Sequence, residues 1–161
     1  MESYYDIAQI CKNGHLITDS FNESPQRRAN HCSVCGEQTI NCCSSCKASI
    51  RGEYNVPGVA VIGFSYDIPS FCHGCGAAYP WTQEKLEAAK ELADLLDELT
   101  EEEQESLKKS LDELVKDGPR TVVATTKFKR ILSKTGPEIA TGFKDILIDV
   151  VSETVKKTIW G

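Results

Sequence analysis

No run of apolar residues in this 161-residue chain approaches the roughly 18 that would span a bilayer. The opening Met1-Glu-Ser-Tyr-Tyr-Asp6 has neither the basic nor the apolar region of a secretory leader. Both absences favour a cytoplasmic chain whose thiols stay reduced, and they oppose a secreted disulfide scaffold. The signatures of common chemistries are missing as well. There is no H-E-x-x-H or H-x-E, no Gly-rich phosphate loop, no nucleophile with a base at a recognisable spacing and no paired carboxylates in a catalytic setting. The expectation from these absences is that the protein is not an enzyme. Cysteine is missing from the C-terminal half altogether, which divides the composition near Trp81.

All eight cysteines lie between Cys11 and Cys75, with His15, His31 and His73 interleaved. Three groupings are C-x2-C pairs: Cys32/Cys35, Cys43/Cys46 and Cys72/Cys75. A fourth, Cys11-Lys-Asn-Gly-His15, is C-x3-H. Four such pairs supply the ligands of two tetrahedral Zn2+ ions. One set is Cys11, His15, Cys32 and Cys35; the other is Cys43, Cys46, Cys72 and Cys75. Ribbon pairing, first with second and third with fourth, is favoured because each unit repeats knuckle, insert, knuckle. A cross-brace (first with third, second with fourth) stays open, and so does the simpler reading of reduced cysteines without metal. A region of about 80 residues or fewer is where a hydrophobic core alone is marginal and a metal staple is needed.

Closed four-ligand sites point to structural zinc, since a catalytic zinc keeps an open position. Iron in the all-cysteine site, giving an electron carrier, is a minority alternative. Cys42 is left over, although it can replace Cys43 with C-x3-C spacing. His73 is expected to be a bystander; His31 is a weaker substitute for His15. Gly36 and Gly76, directly after a second cysteine, let the backbone turn under the metal.

Between the pairs, Tyr4 to Ile10 reads as a strand, Asn13-Gly14 as a turn, Leu16 to Thr18 as the return strand and 19–30 as a loop. Val56-Pro-Gly-Val-Ala-Val-Ile-Gly-Phe64 is predicted to be a strand entered through a Pro-Gly turn. After Trp81 the pattern is helical. Thr82 is the expected N-cap of a helix with Leu86, Ala89, Ala93, Leu96 and Leu99 on one face. Thr100-Glu-Glu-Glu103 has capping-box spacing, and Gly118-Pro119 and Gly136-Pro137 punctuate two further helices. The last is expected to run to about Ile159. Its apolar positions Ile139, Phe143, Leu147, Val151, Val155 and Ile159 recur every fourth residue, so the stripe spirals round the helix.

The formal net charge is -6, and two thiolate-bound zinc ions would take it to about -9, which opposes general attraction to nucleic acid. Residues 84–117 carry 13 acidic and 5 basic side chains, whereas residues 118–161 carry 4 acidic and 8 basic. The basic stretch Lys127-Phe-Lys-Arg130, with Lys134, Lys144, Lys156 and Lys157, can pair with the acidic helix or contact phosphates.

The chain resembles a family of small uncharacterised bacterial proteins with a double zinc ribbon. The matching stretches are Tyr4 to Cys11, the Cys11-x-Asn-Gly-His15 knuckle, Cys32-Ser-Val-Cys35-Gly36, Cys43-x2-Cys46-x3-Ile50-Arg-Gly52, Val56-Pro-Gly58 and Phe71 to Thr82, with Asp149 to Lys157 resembling the family's endings. The resemblance implies a bacterial, cytoplasmic zinc protein with the eight ligands named above, and it favours Cys43 over Cys42.

The expected fold is α+β: an N-terminal double zinc ribbon of short β-hairpins and knuckles over 1–81, then a helical domain of about four helices over 82–161. The expected function is a non-enzymatic zinc-binding protein that mediates macromolecular interaction, with a protein partner or self-association through the helical half. The alternative is a nucleic-acid-binding zinc ribbon using Arg27, Arg28, Arg51 and the stretch 127–134. A RING-like ligase adaptor or a zinc hydrolase ranks below both.

Overall fold

Five short strands, rich in the β-branched and aromatic residues that suit a pleated surface, carry the N-terminal half: β1 (Tyr4–Ile7), β2 (Gln9–Cys11), β3 (Leu16–Thr18), β4 (Thr39–Ile40) and β5 (Arg51–Asn55). They form two small antiparallel sheets, β1-β5 and β3-β2-β4. The chain passes from one sheet to the other at Ala8, which is fully buried and donates its N–H to the Ile50 carbonyl at 2.8 Å. Opposite this crossing sits Gly52. A Cβ there would stand 2.1 Å from the Asp19 carbonyl oxygen and 2.8 Å from the Ile7 carbonyl carbon, so only glycine fits. The buried Asp6 carboxylate ties the following loop to β1 by accepting from the N–H groups of Ile7, Asn22 and Glu23 at 2.6, 3.0 and 3.0 Å. A buried charge is tolerable only with such compensation.

The computed structural model describes all 161 residues and divides them into two compact units, Met1–Trp81 and Thr82–Gly161. The core of the first is small: Ala8, Ile10, Ile50, Tyr79 and Trp81, together with Cys43 and Cys72. Tyr79 and Trp81 stack with ring centroids 4.7 Å apart, and the indole N–H donates to the Pro69 carbonyl at 2.9 Å. The large rings thus fill space beside two cysteines where aliphatic residues are few.

The rest is helical: α1 (Pro80–Asp94), α2 (Glu101–Leu114), α3 (Thr121–Leu132), α4 (Pro137–Leu147) and α5 (Glu153–Trp160). Thr100 closes a full capping box with Glu103, and Gly136 caps α4 with Pro137 in its first turn. In the second unit Phe128 is fully buried and meets Phe143 edge-on at 5.5 Å and Trp160 at 6.4 Å, which joins α3, α4 and α5.

Three expectations need correction. Val56–Phe64 is not a strand; the residues before it, Arg51–Asn55, pair with β1, and the Pro57-Gly58 turn that follows carries the chain off the sheet. Thr82 does not cap α1, which opens at Pro80, because proline's fixed φ suits a first helical position; Leu96 and Leu99, although buried, lie past its end. The last helix is two. Ser152 has extended backbone and accepts from the Val155 N–H, starting α5 afresh after the β-branched run Ile148-Asp-Val-Val151. The break turns the spiralling stripe inward, so that Phe143, Leu147, Val151 and Val155 are all buried.

Two substitutions probe the units separately. Gly52→Ala should destabilise the first unit by about 1–3 kcal/mol, because a backbone clash cannot be relieved by a side-chain rotation. Thr100→Ala should destabilise the second by about 1 kcal/mol through loss of the cap. Urea unfolding in a Trp160→Phe background, followed through the fluorescence of the remaining Trp81 and through helical circular dichroism, checks both.

Candidate metal centres

Each C-x2-C pair is held by the same backbone device. In the knuckle that begins at Cys32, its N–H donates to the Glu37 carbonyl and its carbonyl accepts from the Gly36 N–H, both at 2.8 Å. At Cys43 the equivalent bonds run to the Ala48 carbonyl and from the Lys47 N–H, and at Cys72 to the Ala77 carbonyl and from the Gly76 N–H. Each knuckle is closed at its base by a one-rung bridge: His31 with Gln38, Cys42 with Ser49, and Phe71 with Ala78. The turn requires a left-handed residue after the second cysteine, and Gly36, Lys47 and Gly76 have φ of 76°, 66° and 76°. Lys47 is the one non-glycine residue with positive φ in the chain. Sequence reasoning missed it, since lysine carries no turn signal of its own; its signal is its position, matching Gly36 and Gly76. The Cys11–His15 knuckle differs in length, and Gly14 (φ 91°) makes the turn there, with the His15 carbonyl accepting from Cys11 N–H.

The hairpins bring these knuckles together in two groups, Cys11/His15/Cys32/Cys35 and Cys43/Cys46/Cys72/Cys75, with the donor atoms of each group within 4.8 Å of one another. The first pair therefore joins the second and the third joins the fourth, as in a ribbon and not as in a cross-brace. Cys11 Sγ and Cys35 Sγ are 3.7 Å apart, as are Cys43 Sγ and Cys75 Sγ, while Cys46 and Cys72 are at 3.6 Å. His15 Nδ1 stands 3.4 Å from Cys11 Sγ and 3.6 Å from Cys32 Sγ. A disulfide needs about 2.05 Å. A tetrahedral ion with arms of about 2.3 Å to sulfur and about 2.0 Å to nitrogen spaces its sulfurs about 3.8 Å apart and sulfur from nitrogen about 3.5 Å. The donor sets fit a metal of that geometry.

Hydrogen bonds to the sulfurs complete the fit. The N–H groups of His15, Val34 and Gly74 donate to Cys11, Cys32 and Cys72 Sγ at 3.3, 3.4 and 3.3 Å, and Asn13 Nδ2 donates to Cys35 Sγ at 3.4 Å. Such donors stabilise thiolate and orient it toward a cation. The Glu37 N–H, followed by Asn13 and its cluster neighbours, brings the Cys35 thiol down to about 6; the N–H groups of Cys75 and Gly74 do the same for Cys72. Cys46 goes the other way, up to about 11. The Ala48 N–H lowers it, but hydrogen bonding with Cys72, desolvation and the remaining thiols outweigh that. Four thiols this close resist joint ionisation unless a cation sits among them.

The other candidates lie outside both groups. Cys42 occupies the base position that His31 and Phe71 hold in the sister knuckles, and alternation along an extended chain turns it away from Cys43's side. His73 is exposed within its knuckle, with Nε2 3.1 Å from the Ser49 carbonyl. His31 is exposed as well. Arg28 lies over the Phe21 ring at 3.9 Å and Arg51 over the Tyr5 ring at 4.8 Å. In the second unit Lys134 pairs with Glu103 at 2.6 Å, and Lys129 Nζ reaches the Thr158 carbonyl at 3.2 Å.

Short hairpins carrying two Cys/His donor sets, followed by a cysteine-free helical unit, make this a two-unit chain compatible with two bound metal ions. The chain belongs to the family described as "uncharacterized protein conserved in bacteria" (DUF2321), which matches residues 4–159. No curated protein and no solved structure matches it. No helix is long and apolar enough to cross a membrane.

Two outcomes test this local chemistry. Thiols held low, as Cys35 and Cys72 are, contribute stability in full above the unfolded value of about 8.5 and lose it as pH falls through the folded one. Metal should therefore be retained at pH 8 and released only on acidification below the range in which the metal-free Cys35 and Cys72 thiols take up protons, because protons must compete with the ion for the donors. A chromophoric chelator reads the release, while the helical circular dichroism of the cysteine-free unit persists. Lys47→Gly should stabilise the first unit by about 1 kcal/mol by removing left-handed strain, which the urea midpoint measures.

Proposed function

We propose that this protein is a non-enzymatic, cytoplasmic zinc-binding protein in which two structural zinc ions hold a knuckle surface for protein partners. One observation carries the proposal: each donor group contains four Cys or His donors and no carboxylate. Four protein donors fill a tetrahedral zinc and leave no position for a substrate or an activated water. Zinc suits the mixed Cys3His set and the all-thiolate set alike, whereas iron as an electron carrier suits only the second. The ligands would be Cys11, His15, Cys32 and Cys35 for one ion, and Cys43, Cys46, Cys72 and Cys75 for the other. Zinc hydrolase chemistry lacks its open position, and ribbon pairing disfavours a RING-like adaptor. What remains for such a scaffold is recognition by exposed backbone and side chains.

Nucleic-acid binding is the second reading. Arg51 over Tyr5, with Tyr5 and Tyr54 ring centroids 4.7 Å apart, is the kind of cation and ring surface on which bases stack. Against it stand the net charge of -6 and the internal use of Lys129 and Lys134.

Elemental analysis of the natively purified chain is expected to give two zinc ions per chain. Cys11→Ser and Cys72→Ser should each lose one, and Cys42→Ser, His31→Ala and His73→Ala none. Iron in place of zinc, or metal loss in the Cys42→Ser variant, would sink the assignment. Gel-shift titrations with random DNA and RNA across a salt series separate the two readings: tight, steeply salt-dependent binding at physiological salt favours the second.

A further inference from the structure

Val56-Pro-Gly-Val-Ala-Val-Ile-Gly-Phe64 has the composition of an interior strand and none of its surroundings. None of the amides from Ala60 to Ile68 donates to another backbone group. The side chains face solvent: Val59 is 60% exposed, Val61 58%, Ile62 95% and Phe64 57%. Soluble monomers rarely leave so many apolar side chains open in one place, and such patches mark contact surfaces. The segment is held at both ends, by β5 on one side and by the Phe71–Cys75 knuckle on the other. It also borders a cavity of about 470 Å³ whose lining is largely aromatic, Phe64, Tyr66 and Phe71 among it, with Arg51, Asp67 and His73 as its charged or titratable members.

We propose that the occupant of this surface is the same surface of a second copy of the chain, giving a closed dimer in which residues 59–62 of the two copies, ahead of the bend at Gly63 (φ 79°), lie antiparallel across a two-fold axis. Three observations select a second copy. From Tyr54 to Tyr66 there is no Asp, Glu, Lys or Arg, and the two charged residues lining the adjoining cavity, Arg51 and Asp67, are opposite in sign, so this face avoids the repulsion that two copies of a chain of charge -6 meet elsewhere. The open area of Tyr5, Tyr54, Val59, Val61, Ile62 and Phe64 comes to on the order of 800 Å² per copy, which is what each partner gives to a standard interface. Antiparallel pairing of a segment with itself is complementary by symmetry, and the free amides of 60–68 supply the donors such pairing uses. The apolar side chains of one copy then cover the aromatic cavity of the other. This names a partner for the interaction protein proposed above; it rests on that reading for the interaction role and not for the metal, since the segment is tied back by the Tyr66 hydroxyl donating to the Arg51 carbonyl.

The test is sedimentation of the full-length chain as purified, over a concentration series, with its metal content measured alongside. The wild type should reach twice the chain mass. Ile62→Asp should weaken the dimer at least about tenfold while keeping the wild-type metal content. Val122→Asp, at an exposed apolar position on α3 in the second unit, should leave the dimer unchanged. Hydrogen exchange in the wild type adds a readout that needs no variant: protection of 59–62 should rise with concentration. A wild-type monomer, assembly growing past two copies, a dimer indifferent to Ile62→Asp, or loss of the dimer in Val122→Asp would each overturn the inference. A dimer without metal would instead sink the zinc reading and leave this one standing, and a zinc-loaded monomer does the reverse.

Discussion

The first unit depends on crowding four soft donors into a space of 4.8 Å at each of two places. Thiols at that spacing repel once ionised, and the opposed behaviour of Cys72, down to about 6, and Cys46, up to about 11, expresses the conflict within one group. A dication resolves it, and the free energy of its binding becomes folding free energy. The apolar core beside it is too small to do this alone: Cys43 and Cys72 are members of the core cluster, and Tyr79 and Trp81 lean against them. Gly52 permits the close approach that lets such short strands meet at all.

The helical unit rests on ordinary forces. Phe128 gathers Phe143 and Trp160, capping fixes where α2 and α5 begin, and ion pairs such as Lys90–Asp112 and Lys108–Asp94 lie on partly exposed surface where each contributes little. The acidic excess before residue 118 and the basic excess after it meet directly in Lys134–Glu103. The basic stretch is thus partly committed inside the unit, which reduces what it can offer to phosphates.

The knuckles were legible because they are local devices: C-x2-C followed by glycine encodes a turn, hydrogen bonds and donor placement within six residues. Helix punctuation by Thr100, Gly118-Pro119 and Gly136-Pro137 is legible for the same reason. What failed depended on competition at a distance. Val56–Phe64 reads as a strand by propensity, yet the strand that pairs with β1 is Arg51–Asn55, and the Pro57-Gly58 turn takes the rest away from it. The residues from Ile139 to Ile159 have one continuous periodicity, but a spiralling stripe cannot be buried by neighbours along a single straight helix, and the break at Ser152 lets both pieces turn inward. Lys47 shows the converse: the knuckle imposes φ of 66° on a residue whose own preference opposes it.

Closure of both donor groups and exposure of the 56–64 segment have the same origin. A unit stapled by metal does not need every apolar residue for its core, because the sites supply the stability that burial would otherwise have to provide. Phe71 and Tyr79 flank the second donor pair of one site and also line the aromatic cavity, so fixing the donors also fixes part of the cavity wall. Each group brings four Cys or His donors together, while the uncharged stretch from Tyr54 to Tyr66 is held out where another surface can meet it. The scaffold and the contact surface are then two consequences of one economy of packing in a unit too small to bury both.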